Sequence, residues 1–98
     1  MQYMKAALLA RTKEVRDDGS IIEIVIWELS EPLAPCTHRY KYRLFYGYSG
    51  ERVICYDNER PKGDHRHHRQ RESAYTFVSP ARLIDDFLAD VALERNRS

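Results

Sequence analysis

The segment YDNERPKGDHRHH, residues 56–68, gathers the groups best able to do chemistry in this chain. It holds His65, His67 and His68, three of the four histidines, with Lys62, Arg60, Arg66, Asp57, Glu59 and Asp64. On an extended backbone His65 and His67 project to one side. Imidazole titrates near neutrality, so two of them can serve as base and acid. Metal-independent RNA cleavage needs such a pair. One group takes the 2′-OH proton, another protonates the leaving 5′-oxygen, and a cation offsets charge building on phosphorus. The expectation is His65 and His67 as the acid–base pair, Lys62 and Arg66 at the phosphorane, and Asp57 or Asp64 orienting an imidazole. Asp57 could equally begin a turn with Asn58.

The same donors could hold a transition metal through His65, His67 and Asp57 or Asp64. Their spacing follows no established zinc pattern, and neighbouring cations oppose a bound dication. Neither a metal nor another cofactor is therefore expected. Cys55 alternates with a buried pattern beside Val53 and reads as core, not as a nucleophile.

Around this segment the charge is uneven. The whole chain is nearly balanced, with 16 basic and 15 acidic residues, so its net charge names no partner. Residues 60–72 read as a loop in which Arg60, Lys62, Arg66, Arg69 and Arg71 outnumber Asp64 and Glu72. Such a loop can grip phosphate by charge and by bidentate contacts. A second basic row, Arg39, Lys41 and Arg43, falls on one side of an alternating stretch, with successive members about 6.6–6.8 Å apart on a strand. That is close to the separation of neighbouring phosphates. Arg39, Lys41, Arg43, Arg60, Arg69 and Arg71 are the candidate RNA contacts, with nearby tyrosines available for stacking. The competing uses are a solvated sheet face and a non-catalytic module that binds nucleic acid or protein.

The elements that must position these groups are mostly strands. Residues 6–15 and 21–29 flank RDDGS, whose Asp-Gly marks a hairpin with a bulged turn. The second of these is apolar on both faces and suits a strand partly covered on each side. Residues 30–37, with two prolines, connect to a strand over 38–48, in which Tyr40, Tyr42, Leu44 and Tyr46 oppose Arg39, Lys41, Arg43 and Phe45. A fourth strand spans 52–58 and a short fifth 73–78. Ser79 as N-cap and Pro80 at the first helical position open a helix whose stripe is Leu83, Ile84, Phe87, Leu88 and Val91. The fold class is α+β: a twisted antiparallel sheet of four to five strands with one C-terminal helix packed on one face. A helix of about 15 residues spans roughly 22 Å and leaves part of the sheet open. If Trp27 is accessible there, that face suits a homodimer or another protein partner.

At 98 residues the chain reads as a single domain, 1–98, with one modest core. No stretch reaches the ~20 apolar residues of a membrane span, and AALLA is too short for a signal-peptide core. Two cysteines without a secretory signal suit reduced thiols in a cytoplasmic protein.

YDNE (56–59), KGDHRH (62–67), Tyr75, Phe77 and the Leu/Phe-rich C-terminal helix together resemble the TumE-like toxins of bacterial type II toxin–antitoxin systems. The resemblance runs from the first hairpin to the helix. It implies a small bacterial cytoplasmic protein that inhibits growth when free. A cognate antitoxin, often a helix-turn-helix protein, would neutralise it. It also implies a functional patch of Asp57, Lys62, Asp64, His65, Arg66 and His67. RNA cleavage comes from the residues and from what such toxins often do, since a fold does not establish an activity.

Overall fold

A computed structural model of the chain describes residues 5–96. Its elements run β1 (Ala6–Val15), β2 (Ile21–Leu29), β3 (Tyr40–Tyr48), β4 (Glu51–Asp57), β5 (His65–His68), β6 (Arg71–Ala74) and α1 (Pro80–Arg95). The strands form one antiparallel sheet in chain order. The α+β class with a single C-terminal helix is as expected, with six strands in place of four or five.

Local chemistry explains the first hairpin and the helix. Asp18 Oδ1 accepts the Ser20 backbone N–H at 2.8 Å and the Ser20 hydroxyl at 2.6 Å, while Gly19 turns the chain at φ 85°, where a Cβ would be strained. In β2, Ile22, Ile24 and Ile26 are buried, and Ile21, Val25 and Trp27 on the other face are half-buried. The Ser79 hydroxyl caps α1 by accepting the Arg82 N–H at 3.1 Å, and Pro80 follows it. Leu83, Phe87 and Val91 are buried, Ile84 is half-buried, and Leu88 stays exposed. The buried stripe is thus narrower than the apolar pattern, because α1 lies along β3 and β4, and a helix about 10–12 Å wide covers roughly two strands at ~4.8 Å spacing. Beneath it Tyr42, Leu44, Tyr46, Ile54 and Tyr56 join the β2 isoleucines in one core.

The segment 60–72 corrects the sequence-based expectation. It is not a loop: most of it forms the hairpin of β5 and β6. The connection is Arg69-Gln70, with Arg69 at φ 57°, a region non-glycine residues seldom occupy. Hairpins of this length usually carry Gly, Asn or Asp in the turn, so this one gives little sign of itself. Conversely, the strand expected over 73–78 ends at Ala74. Tyr75 and Phe77 leave the sheet to pack against the core, and the Tyr75 hydroxyl donates to Asp86 Oδ2 at 2.7 Å.

Polar pairing with α1 holds β5, which lacks apolar side chains. Arg66 Nη1 donates to the Tyr56 hydroxyl at 3.2 Å and to Asp90 Oδ2 at 3.3 Å. His68 Nε2 lies 2.9 Å from Glu94 Oε2, and Arg69 bonds the same carboxylate. Just beyond β4, buried Asn58 extends the ladder with its side chain. Its Oδ1 accepts the Tyr42 N–H at 3.0 Å and its Nδ2 donates to the Tyr40 carbonyl at 2.6 Å.

Candidate active site

Strand register decides which residues meet. Across the sheet face opposite α1, pairing places Val25, Arg43, Asp57, His65 and Ala74 in one row. The next row is Glu23, Phe45, Cys55, His67 and Glu72. Asp57 and the two histidines therefore converge near the middle of the face, and their donor atoms lie within 4.8 Å of one another. The His65 and His67 rings meet edge to face at 5.1 Å between centroids.

Each group has a defined environment. His65 Nδ1 lies 2.7 Å from the Gly63 carbonyl. A carbonyl only accepts, so Nδ1 carries the proton. His65 Nε2 lies 2.6 Å from Asp57 Oδ1, yet that oxygen is buried without a hydrogen bond. Burial, and after it Arg52, push the His67 imidazole below its ordinary value and favour its neutral form. His67 Nε2 lies 3.2 Å from Glu72 Oε2, and Lys62 Nζ holds that carboxylate at 2.8 Å. The Lys62 hydrogen bond keeps Glu72 below the usual carboxylate range. Cys55 is buried between Phe45 and His67. Burial, then Asp57, raise its thiol to about 11, so it is protonated at neutral pH, as a core cysteine should be.

The remaining candidates separate. Asp64 and Arg66 flank the histidines in sequence but point to the helix side of the sheet. Asp64 Oδ1 accepts the Tyr42 hydroxyl at 2.6 Å and pairs with His38 Nε2 at 2.8 Å. Asp64 thus orients an imidazole, that of His38. Arg66 is occupied by Tyr56 and Asp90. Alternation on β5 imposes this split: the side that brings His65 and His67 together sends Arg66 away.

Cations border the cluster. Lys41 and Arg43 lie on the same face; Arg43 sits 5.1 Å over the Phe45 ring and 3.5 Å from Glu23. Between the β3–β4 and β5–β6 turns is a recess of about 900 Å³ lined in part by Arg43, Phe45, Arg52, Arg69 and Arg71. Arg39 pairs with Glu28 at the sheet margin, and Arg60 is exposed in the β4–β5 connection. Sequence reasoning passed over Glu72, Arg52 and His38 as site-building residues. Glu72 faces His67 only because β5 and β6 pair, a hairpin with no conspicuous turn signal.

Among the described residues no helix is long and apolar enough to cross a membrane. No curated protein and no solved structure matches the chain significantly. The family described as Toxin TumE matches residues 5–95, nearly the whole chain, and the chain therefore belongs to that family, as a toxin component of a toxin–antitoxin pair with an antitoxin for partner.

Proposed function

We propose that this toxin is a cytoplasmic endoribonuclease that works without a metal, with the open sheet face as its RNA platform. The observation that supports this most directly is the meeting of Asp57, His65 and His67 on a face bordered by arginines. His67, favoured neutral, takes the 2′-OH proton as the 2′-oxygen attacks phosphorus. The bond from phosphorus to the 5′-oxygen breaks, and His65, paired with Asp57, gives a proton to that oxygen. The products are a 2′,3′-cyclic phosphate and a 5′-hydroxyl. Lys62 offsets charge on the phosphorane. Asp64 and Arg66 hold the surrounding structure and do not touch the reacting atoms. Lys41, Arg43 and Arg71 supply phosphate contacts; Arg39 and Arg60 extend them at the margins, while Arg69 is held by Glu94 and Glu51. The antitoxin, by the resemblance a helix-turn-helix protein, would silence the toxin.

Purified protein incubated with RNA in EDTA tests this. Cleavage leaving cyclic-phosphate ends, abolished by His67→Ala, supports it. A wild type that binds RNA and never cuts it, with or without metal, makes the protein a binding module instead.

A further inference from the structure

We infer that Asp57, His65 and His67 form a binding site for a divalent transition-metal ion, and that an ion held there silences the acid–base reaction. The silencing rests on the function proposed above; the binding does not.

The geometry supplies three donors with lone pairs to spare. The Gly63 carbonyl fixes the His65 proton on Nδ1 at 2.7 Å and leaves the lone pair on Nε2, the usual arrangement of a metal-ligating histidine. Gly63 makes this possible by adopting φ 76°. Asp57 Oδ1 then lies 2.6 Å from that nitrogen, buried and without a hydrogen bond. Two electron-rich atoms in this relation need a cation between them, and leaving the oxygen unsatisfied is costly. A proton shared between them is one solution, and a metal ion is the other. His67 offers the third donor, and Glu72 Oε2, 3.2 Å from His67 Nε2, stands at the rim. Two imidazoles and a carboxylate suit Zn²⁺, Mn²⁺ or Fe²⁺ and not the oxygen-loving Ca²⁺ or Mg²⁺. Arg43 and Arg52 nearby weaken the attraction for a dication.

A second cluster shows what a closed network looks like. Cys36, His38 and Asp64 also lie within 4.8 Å of one another. There, His38 Nδ1 accepts the Tyr40 N–H at 3.1 Å, so Nε2 carries the proton and donates to Asp64. Tyr42 donates to the same carboxylate and Asn58 to Cys36 Sγ at 3.7 Å. A metal on His38 Nε2 would force a proton onto Nδ1 against that N–H, so this cluster is a structural clasp.

An ion on His65 and His67 takes the lone pair that must accept the 2′-OH proton and displaces the proton that must reach the 5′-oxygen. Metal occupancy and the acid–base reaction therefore exclude each other.

The test is calorimetric titration of the untagged chain with Zn²⁺, alongside RNA cleavage in EDTA and in saturating Zn²⁺. The expected result is one equivalent bound by the wild type, at least tenfold weaker in His67→Ala and in the near-isosteric Asp57→Asn, and unchanged in Cys36→Ser. Circular dichroism confirms that each variant is folded. Cleavage should proceed in EDTA and fall more than tenfold with Zn²⁺. Absence of saturable binding, or binding that survives both substitutions, overturns the site. Cleavage that requires the metal overturns the silencing and makes the ion a cofactor. Binding as expected with no cleavage under any condition sinks the nuclease proposal and the silencing together and leaves the metal site standing.

Discussion

Asp57 and His65 are direct partners across β4 and β5, with Asp57 Oδ1 2.6 Å from His65 Nε2. Because the Gly63 carbonyl holds the other ring nitrogen, the pair can hold or release a proton at one place only. Asp57→Asn removes the charge and keeps the shape. Its RNA cleavage should fall roughly 10²-fold or more and that of His67→Ala by about 10²–10⁴-fold, with RNA affinity within a few-fold of wild type. Single-turnover cleavage and filter binding separate the two effects.

The His67 shift makes a signed prediction for pH. Its folded value is lowered, chiefly by burial and then by Arg52. The unfolded chain therefore protonates first as pH falls from the ordinary histidine value of about 6.5. The stability that His67 contributes is fully present above that value and is lost as pH drops through the lower folded one. Cleavage should persist below pH ~6.5 before its acid limb begins, and Arg52→Ala should move that limb upward. An NMR titration of the His67 ring across the same range provides the direct check.

Lys41 and Arg43 lie on the open face beside the cluster, so their charge should appear in binding more than in chemistry. Lys41→Ala and Arg43→Ala should each weaken RNA binding and reduce the slope of log affinity against log salt by about 0.7. Cleavage of fully bound RNA should change less. Salt-dependent binding isotherms measure the slope; an unchanged slope would take both residues off the RNA path.

Arg66 and Phe87 test the helix side. Arg66→Ala loses a partly exposed strap to Tyr56 and Asp90 and should cost about 1 kcal/mol of stability, leaving the cleavage rate of the folded protein unchanged. Phe87 is fully buried against Tyr56, and Phe87→Ala should cost about 3–5 kcal/mol. Exposed Leu88 provides the contrast, with Leu88→Ala within about 0.5 kcal/mol of wild type. Urea unfolding ranks all three.

The amino-acid sequence by itself determined the α+β class, the first two strands and the capped helix, because those signals are local. Asp-Gly shapes a turn, alternation makes a two-faced strand, and Ser-Pro followed by an apolar stripe starts a helix. It also placed His65 and His67 on one side, since that needs only a period of two. The pairing of β5 with β6 depends on contacts distant in sequence: an arginine turn with a weak local signal, and a polar strand held by Asp90 and Glu94 of α1. Tertiary structure alone decided that Asp57 faces His65, that Glu72, held by Lys62, reaches His67, and that Asp64 and Arg66 go to the opposite face. Register selects partners across strands, and a neighbour in sequence is the residue that an extended backbone turns away.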